Sequence, residues 1–217
     1  MVSHLNATGS NQKPIYVLTS MLKSRAQRNA LLFSGLLMMG HFLIIPFINP
    51  YMEFNKGFSK GQTPMIYLFG GIASFSAAIY LGRFSDRIGK LPIFSWSVFL
   101  SLFMVLIITS MPDIPFSIVL LFFAFWFVLA TGRAVTAQAM ISEVVKSDQR
   151  GSFMSFNGSI QQFGTFLASF VAGQIVYEGE GKKILRFEWL GYLSIVVLLG
   201  SLVLGRMLFK AVDKKKP

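Results

Sequence analysis

Two ionisable side chains stand where ionisable side chains are costly. Arg133 follows 18 uncharged residues, Pro115 to Gly132, and His41 lies inside an otherwise uncharged run from Asn29 to Met52. A guanidinium deep in hydrocarbon costs several kcal/mol unless it faces protein or water. At 1.5 Å per residue, Arg133 is about 15 Å from the end of its apolar run near Glu143. It is either a functional charge or an arginine that snorkels to the interface or bonds a helix carbonyl. His41 is either a proton carrier, because imidazole titrates near neutral pH, or a hydrogen-bonded packing residue. Asn157, Gln161 and Thr165 recur every four residues, with Ser155, Ser159 and Gln162 as a neighbouring stripe. Polar side chains on one face of an apolar helix either meet a substrate or tie helices together. Asn49, between Pro46 and Pro50, is a further polar candidate, since prolines kink a helix and free its carbonyls.

Much chemistry is excluded. There is no cysteine, hence no thiol nucleophile, disulfide or thiolate metal site. No His-Glu-x-x-His occurs, the one Gly-x-Ser-x-Gly match, Gly57 to Gly61, lies between two apolar runs and not at a strand-to-helix turn, and acidic residues fall almost entirely between apolar runs. The chain reads as no enzyme, with no metal site and no bound cofactor.

The elements that must hold these residues are membrane spans. Of 217 residues, 53% are hydrophobic and 13% charged, where a soluble domain carries about a quarter charged. Six apolar segments, 29–52, 61–83, 92–111, 115–141, 151–177 and 189–209, approach the ~20 residues a helix needs to cross a bilayer. Membrane-barrel alternation is absent, so strands are not expected. The prediction is an all-α membrane protein with a six-helix region over 29–210. A basic lead, 1–28, precedes it and a basic tail, 211–217, follows. The lead is polar and lacks the apolar core of a secretory signal.

Basic residues set the orientation. Fourteen fall in the tails and in the connections after the second and fourth spans. Five (Lys56, Lys60, Lys182, Lys183 and Arg186) fall on the other side, and the remaining one is Arg133. The positive-inside rule puts both termini in the cytoplasm. The net charge of +11 suits anionic headgroups rather than nucleic acid, because it sits at span ends.

Between the second and third spans runs Gly82-Arg83-Phe84-Ser85-Asp86-Arg87-Ile88-Gly89-Lys90. Read alone, it is a short turn with Gly82 and Gly89 available for close approach or positive φ. It resembles the signature loop of the major facilitator superfamily, Gly-x-Leu-x-Asp-Arg-x-Gly-Arg/Lys, with Phe84 at the Leu position. Ile44 to Tyr51, Pro64 to Gly71 and Arg150 to Asn157 resemble the seventh, eighth and eleventh helices of bacterial sugar-efflux and drug-efflux members. The resemblance implies one half of a major facilitator fold, a 3+3 inverted repeat, and specifically the C-terminal half. It also implies that the fifth span lines a central cavity and that the third and sixth face lipid. Arg133 resembles a coupling arginine of the fourth helix, although Ala134 to Ala139 lack that motif's Gln-Gly. Glu143 and Arg150 resemble a Glu-x6-Arg pair of sugar porters. With Arg83, Asp86, Arg87 and Lys90 they are expected to form a gating cluster.

The function implied is alternating-access transport, as proton-coupled efflux driven by a proton gradient, in the bacterial inner membrane. The expected partners are the bilayer, a second six-helix half or another copy, and a small-molecule substrate. The competing reading is a truncated or non-transporting membrane subunit.

Overall fold

The computed structural model describes residues 23–213. Residues 1–22 of the expected lead and 214–217 of the expected tail lie outside the described residues. The described residues fold into six long helical spans. The first is broken into α1 (Arg25–Phe42), α2 (Ile45–Pro50) and a π-helical turn, Tyr51–Asn55. The break at Leu43–Ile44 has a cause, because Pro46 carries no N–H for the carbonyl of Phe42 and its ring crowds that carbonyl. Pro50 does the same one turn later, and Lys56 N instead bonds Tyr51 O in a wider turn. The other spans are α3 (Thr63–Ile88), α4 (Lys90–Thr109), α5 (Phe116–Ser142), α6 (Arg150–Ile175) and α7 (Phe187–Asp213).

Two boundaries differ from expectation. The second span was expected to end at residue 83, but α3 continues to Ile88, so most of the signature stretch is helix. Nothing in Gly82 to Ile88 breaks a helix that has space around it, and Gly82 adopts no positive φ. The chain turns only at Gly89, where φ is +99°, a conformation that disfavours a Cβ. The expectation of no strands also needs correcting. A small antiparallel hairpin joins α6 to α7, with β1 (Tyr177–Glu178) paired to β2 (Ile184–Leu185). Asn55 ties it to the end of the first span: its amide donates to Ile184 O and accepts from Ile184 N, both at 2.8 Å.

Five of the spans are long and apolar enough to cross a membrane. The other, α6, matches them in length at 26 residues, about 39 Å. Its Ser, Asn and Gln residues make it less apolar.

The packing is symmetric. The strong pairs are α3 with α5, α5 with α4, α1 with α6, α1 with α7, and α4 with α7. Exchanging spans one and four, two and five, and three and six maps each of these pairs onto another or onto itself. Three spans per unit is an odd number, so the second unit runs inverted through the membrane. The expected 3+3 inverted repeat is therefore visible in the contacts themselves. It forms two layers, with α6, α1, α5 and α3 as a front row and α7 and α4 behind.

The core lies where the layers meet. Phe33, Phe94 and Phe209 from α1, α4 and α7 are buried edge to face, with Phe33 at 5.3 Å from each partner ring. In the front row, α1 and α6 approach until backbone touches backbone. A Cβ on Gly164 would stand 2.5 Å from Gly35 O. The outer helices of the row are the least covered. Five of 26 residues are buried in α3 and five of 26 in α6, against nine of 20 in α4 and 11 of 27 in α5. The least covered pair is thus the second and fifth spans, while the third and sixth, which the resemblance made the lipid-facing pair, form the back row.

Candidate functional site

Pro115 precedes the first turn of α5, and the helix then runs unbroken past Arg133. A cation enters the packed middle of the bundle because its neighbours make room. At Gly132 a Cβ would lie 2.6 Å from Ser97 Oγ of α4, so only glycine admits α4 here. Thr136 Oγ1 donates back to Gly132 O at 2.7 Å, satisfying that buried hydroxyl. Arg133 is 2% exposed. Its Nη2 lies 2.6 Å from His41 Nδ1 on α1.

That contact fixes the chemistry of both groups. A guanidinium only donates, so Nδ1 must accept and the imidazole proton sits on Nε2. Trp126, about two turns before Arg133, packs its ring 4.9 Å from the His41 ring. The other terminal nitrogen of Arg133, Nη1, is buried with no hydrogen-bond partner among the described residues. No ion pair among the described residues involves Arg133.

Two connected hollows open beside this pair. One, of about 180 Å³, holds His41 and Arg133 together with Phe127, Ala130 and Thr131. The other, of about 550 Å³, lies between α1, α5 and α6, with Gln138, Met154 and Gln161 in its wall. They share Leu37, Met38 and Ala134, so they form one groove. No residue of α4 or α7 lines it, which places its mouth on the front layer. Gln161 Nε2 reaches 3.4 Å towards Gln138 Oε1 across the groove.

The two intramembrane candidates, Arg133 and His41, are thus brought together with Gln161. The other predicted residues are not. Asn157 is fully buried, and neither of its amide atoms has a partner among the described residues. It does not share an open face with Gln161. Gln162 is exposed on another side of α6, and Asn49 is exposed on α2. Gln138, Met38 and Met154 were missed. The run of small residues Ala134, Ala137 and Ala139 around Gln138 was the available signal, since small side chains leave space between helices.

At the end of the bundle holding Gly89, Lys90 Nζ donates to Glu143 Oε1, tying the start of α4 to the end of α5. This differs from the expected cluster. Arg83, Asp86, Arg87 and Arg150 are exposed, and none is within ion-pair distance of a described acid or base. The glycine turn at Gly89 swings Lys90 under α5, while Asp86 and Arg87 stay on the outer turns of α3. At the opposite end Lys56 pairs with Asp113 at 3.0 Å, linking the connections after the first and third spans.

Comparison with known proteins agrees with this architecture. Residues 30–217 match the Major Facilitator Superfamily model. The chain is 23% identical over 203 residues to the proton-coupled antiporter flippase LtaA of Staphylococcus saprophyticus. The match covers 89% of this chain and 50% of that protein, so the chain spans about half the length of the curated relative it matches. An inverted pair of three-helix units, a glycine-turned link between its second and third spans, and a family match over nearly all its spans lead to one assignment: this chain belongs to the Major Facilitator Superfamily of membrane transporters.

Proposed function

We propose that this chain is the C-terminal half of a small-molecule transporter that works by alternating access and exports its substrate by coupling to protons that move down their gradient. The groove between α1, α5 and α6 forms one wall of the central cavity, and a second six-helix half, or another copy of this chain, supplies the facing wall. One observation carries the reading. The groove between α1, α5 and α6 opens on the front layer, whose outer helices, α3 and α6, have few buried residues. A groove with a buried cation in its wall cannot face lipid cheaply. The relative's proton-coupled antiport supports the driving force, and the excess of basic residues at the Gly89 end supports cytoplasmic termini in a bacterial inner membrane. A non-transporting membrane subunit is the second reading, favoured by a match to half of the relative's length.

Proteoliposomes with an imposed pH gradient test the proposal. The chain together with a second six-helix half should accumulate a substrate when the gradient is present and lose it when an uncoupler is added. Uptake indifferent to the gradient would remove proton coupling. Flux from a strictly monomeric chain would remove the need for a second wall.

A further inference from the structure

We propose that Arg133 and the groove beside it bind an amphipathic organic anion, a carboxylate or phosphate monoester carrying an apolar tail. The inference rests on reading the groove as a cavity wall, and it names the substrate class.

Arg133 is 2% exposed, and its guanidinium stays charged at any ordinary pH. His41 occupies Nη2 as an acceptor but brings no negative charge, so the positive charge has no counter-charge among the described residues. Nη1 is a buried donor with no partner among the described residues, and Arg133 is part of the wall of the smaller hollow. A guanidinium presents parallel N–H groups that match the oxygens of a carboxylate or phosphate. An oxyanion therefore satisfies both the geometry and the charge, which a neutral hydroxyl or a cation does not.

The rest of the groove describes the tail. Leu37, Met38, Ala134 and Met154 line the larger hollow, and of its polar side chains Gln138 and Gln161 are directed at each other while Ser142 donates to Ala139 O. Its volume of about 550 Å³ falls within the usual range of small-molecule sites, about 300–1,000 Å³. Methionine adapts its shape to different apolar partners, so tail length is less constrained than head charge. No acidic residue among the described ones lines either hollow, which sets the site against lipophilic cations.

Trp126 is a built-in reporter, because its ring packs on His41. Trp96 and Trp189 are exposed, so Trp96→Phe with Trp189→Phe leaves it as the single tryptophan. The full chain in lipid nanodiscs is titrated with octanoate, octyl phosphate, octanol and octyltrimethylammonium. A saturable change in Trp126 emission is expected with one or both anions and with neither of the other probes. Octanoate alone would assign a carboxylate head, and octyl phosphate alone a phosphate head. Arg133→Gln should weaken the anion response at least tenfold, and Arg133→Lys should retain part of it. Equal responses to all four probes in the unsubstituted single-tryptophan chain would overturn the proposal without reliance on a variant. So would an Arg133→Gln protein of unchanged helicity that still binds the anions. Anion binding without gradient-driven flux would count against the transporter reading alone. Gradient-driven flux of a lipophilic cation would count against this inference alone.

Discussion

Replacing His41 with Leu should destabilise the chain far more than replacing the arginine it contacts. Arg133 Nη2 meets His41 Nδ1 at 2.6 Å, and Nη1 is already without a partner among the described residues. A hydrogen bond to a charged group contributes about 1.5–3 kcal/mol net, and stranding a buried charge adds to the loss. His41→Leu is therefore expected to cost about 2–4 kcal/mol, a factor of about 30 or more in the folding equilibrium. Arg133→Met removes the cation and its demand for partners while keeping an unbranched apolar stem. Its effect should stay within about 1 kcal/mol of zero, in either direction. The double variant should then resemble Arg133→Met, because leucine at position 41 no longer deprives a charge of its acceptor. Equilibrium unfolding in mixed micelles, followed by far-ultraviolet circular dichroism, reads all four proteins. Additive losses from the two single changes would refute the reasoning. They would mean that His41 contributes through packing and that Arg133 is satisfied independently of it.

Gly164→Ala puts a Cβ about 2.5 Å from a backbone oxygen of α1 and should cost about 1–3 kcal/mol, whereas Gly158→Ala, with nothing within 4 Å, should be neutral or gain up to about 1 kcal/mol; thermal unfolding in detergent compares them. The Lys90–Glu143 pair, with side chains 29% and 26% exposed, is partly screened by solvent. Lys90→Glu should therefore lower stability by about 1 kcal/mol, and adding Glu143→Lys should restore most of it, as the same unfolding assay would show. Single cysteines at Asp86 and Gly181, both exposed at opposite ends of the bundle, should label from opposite sides of a membrane, on a background with no cysteine. Labelling of both from one side would contradict the orientation.

Span positions were legible because each apolar run is long and its interruptions are charged. The turn between the second and third spans was legible from its glycines and charges, but its place at Gly89 and not Gly82 was not, because both glycines lie in the same short stretch and the sequence does not show that the helix continues to Ile88. What could not be read was rotational phase. His41 and Arg133 are 92 positions apart, and their meeting depends on how α1 and α5 turn about their own axes. In α5 apolar residues surround the helix, so no stripe marks its buried side. In α6 a marker existed but was outweighed by the polar residues. Asn157, Gly164, Ala168 and Ala172 follow helical spacing and form the buried face, and the small ones permit the contact with α1. Periodicity of four from Asn157 joined it instead to Gln161, which lies round the helix in the groove. The Lys90–Glu143 pair was obscured for a different reason. Several acids and bases at one end of a bundle are interchangeable in sequence until backbone geometry selects among them.

The claim that this six-helix unit meets a second one across its front layer is tested most directly by cysteine cross-linking in the native membrane. Ser76 on α3 and Ser159 on α6 are exposed on the two least covered helices, and Phe103 is exposed on α4 in the back layer. Cysteines at Ser76 and Ser159 should cross-link to a second six-helix polypeptide carrying cysteines on its own front helices, and a cysteine at Phe103 should not. Efficient cross-linking from Phe103, with none from Ser76 or Ser159, would place the partner on the wrong face and contradict the account.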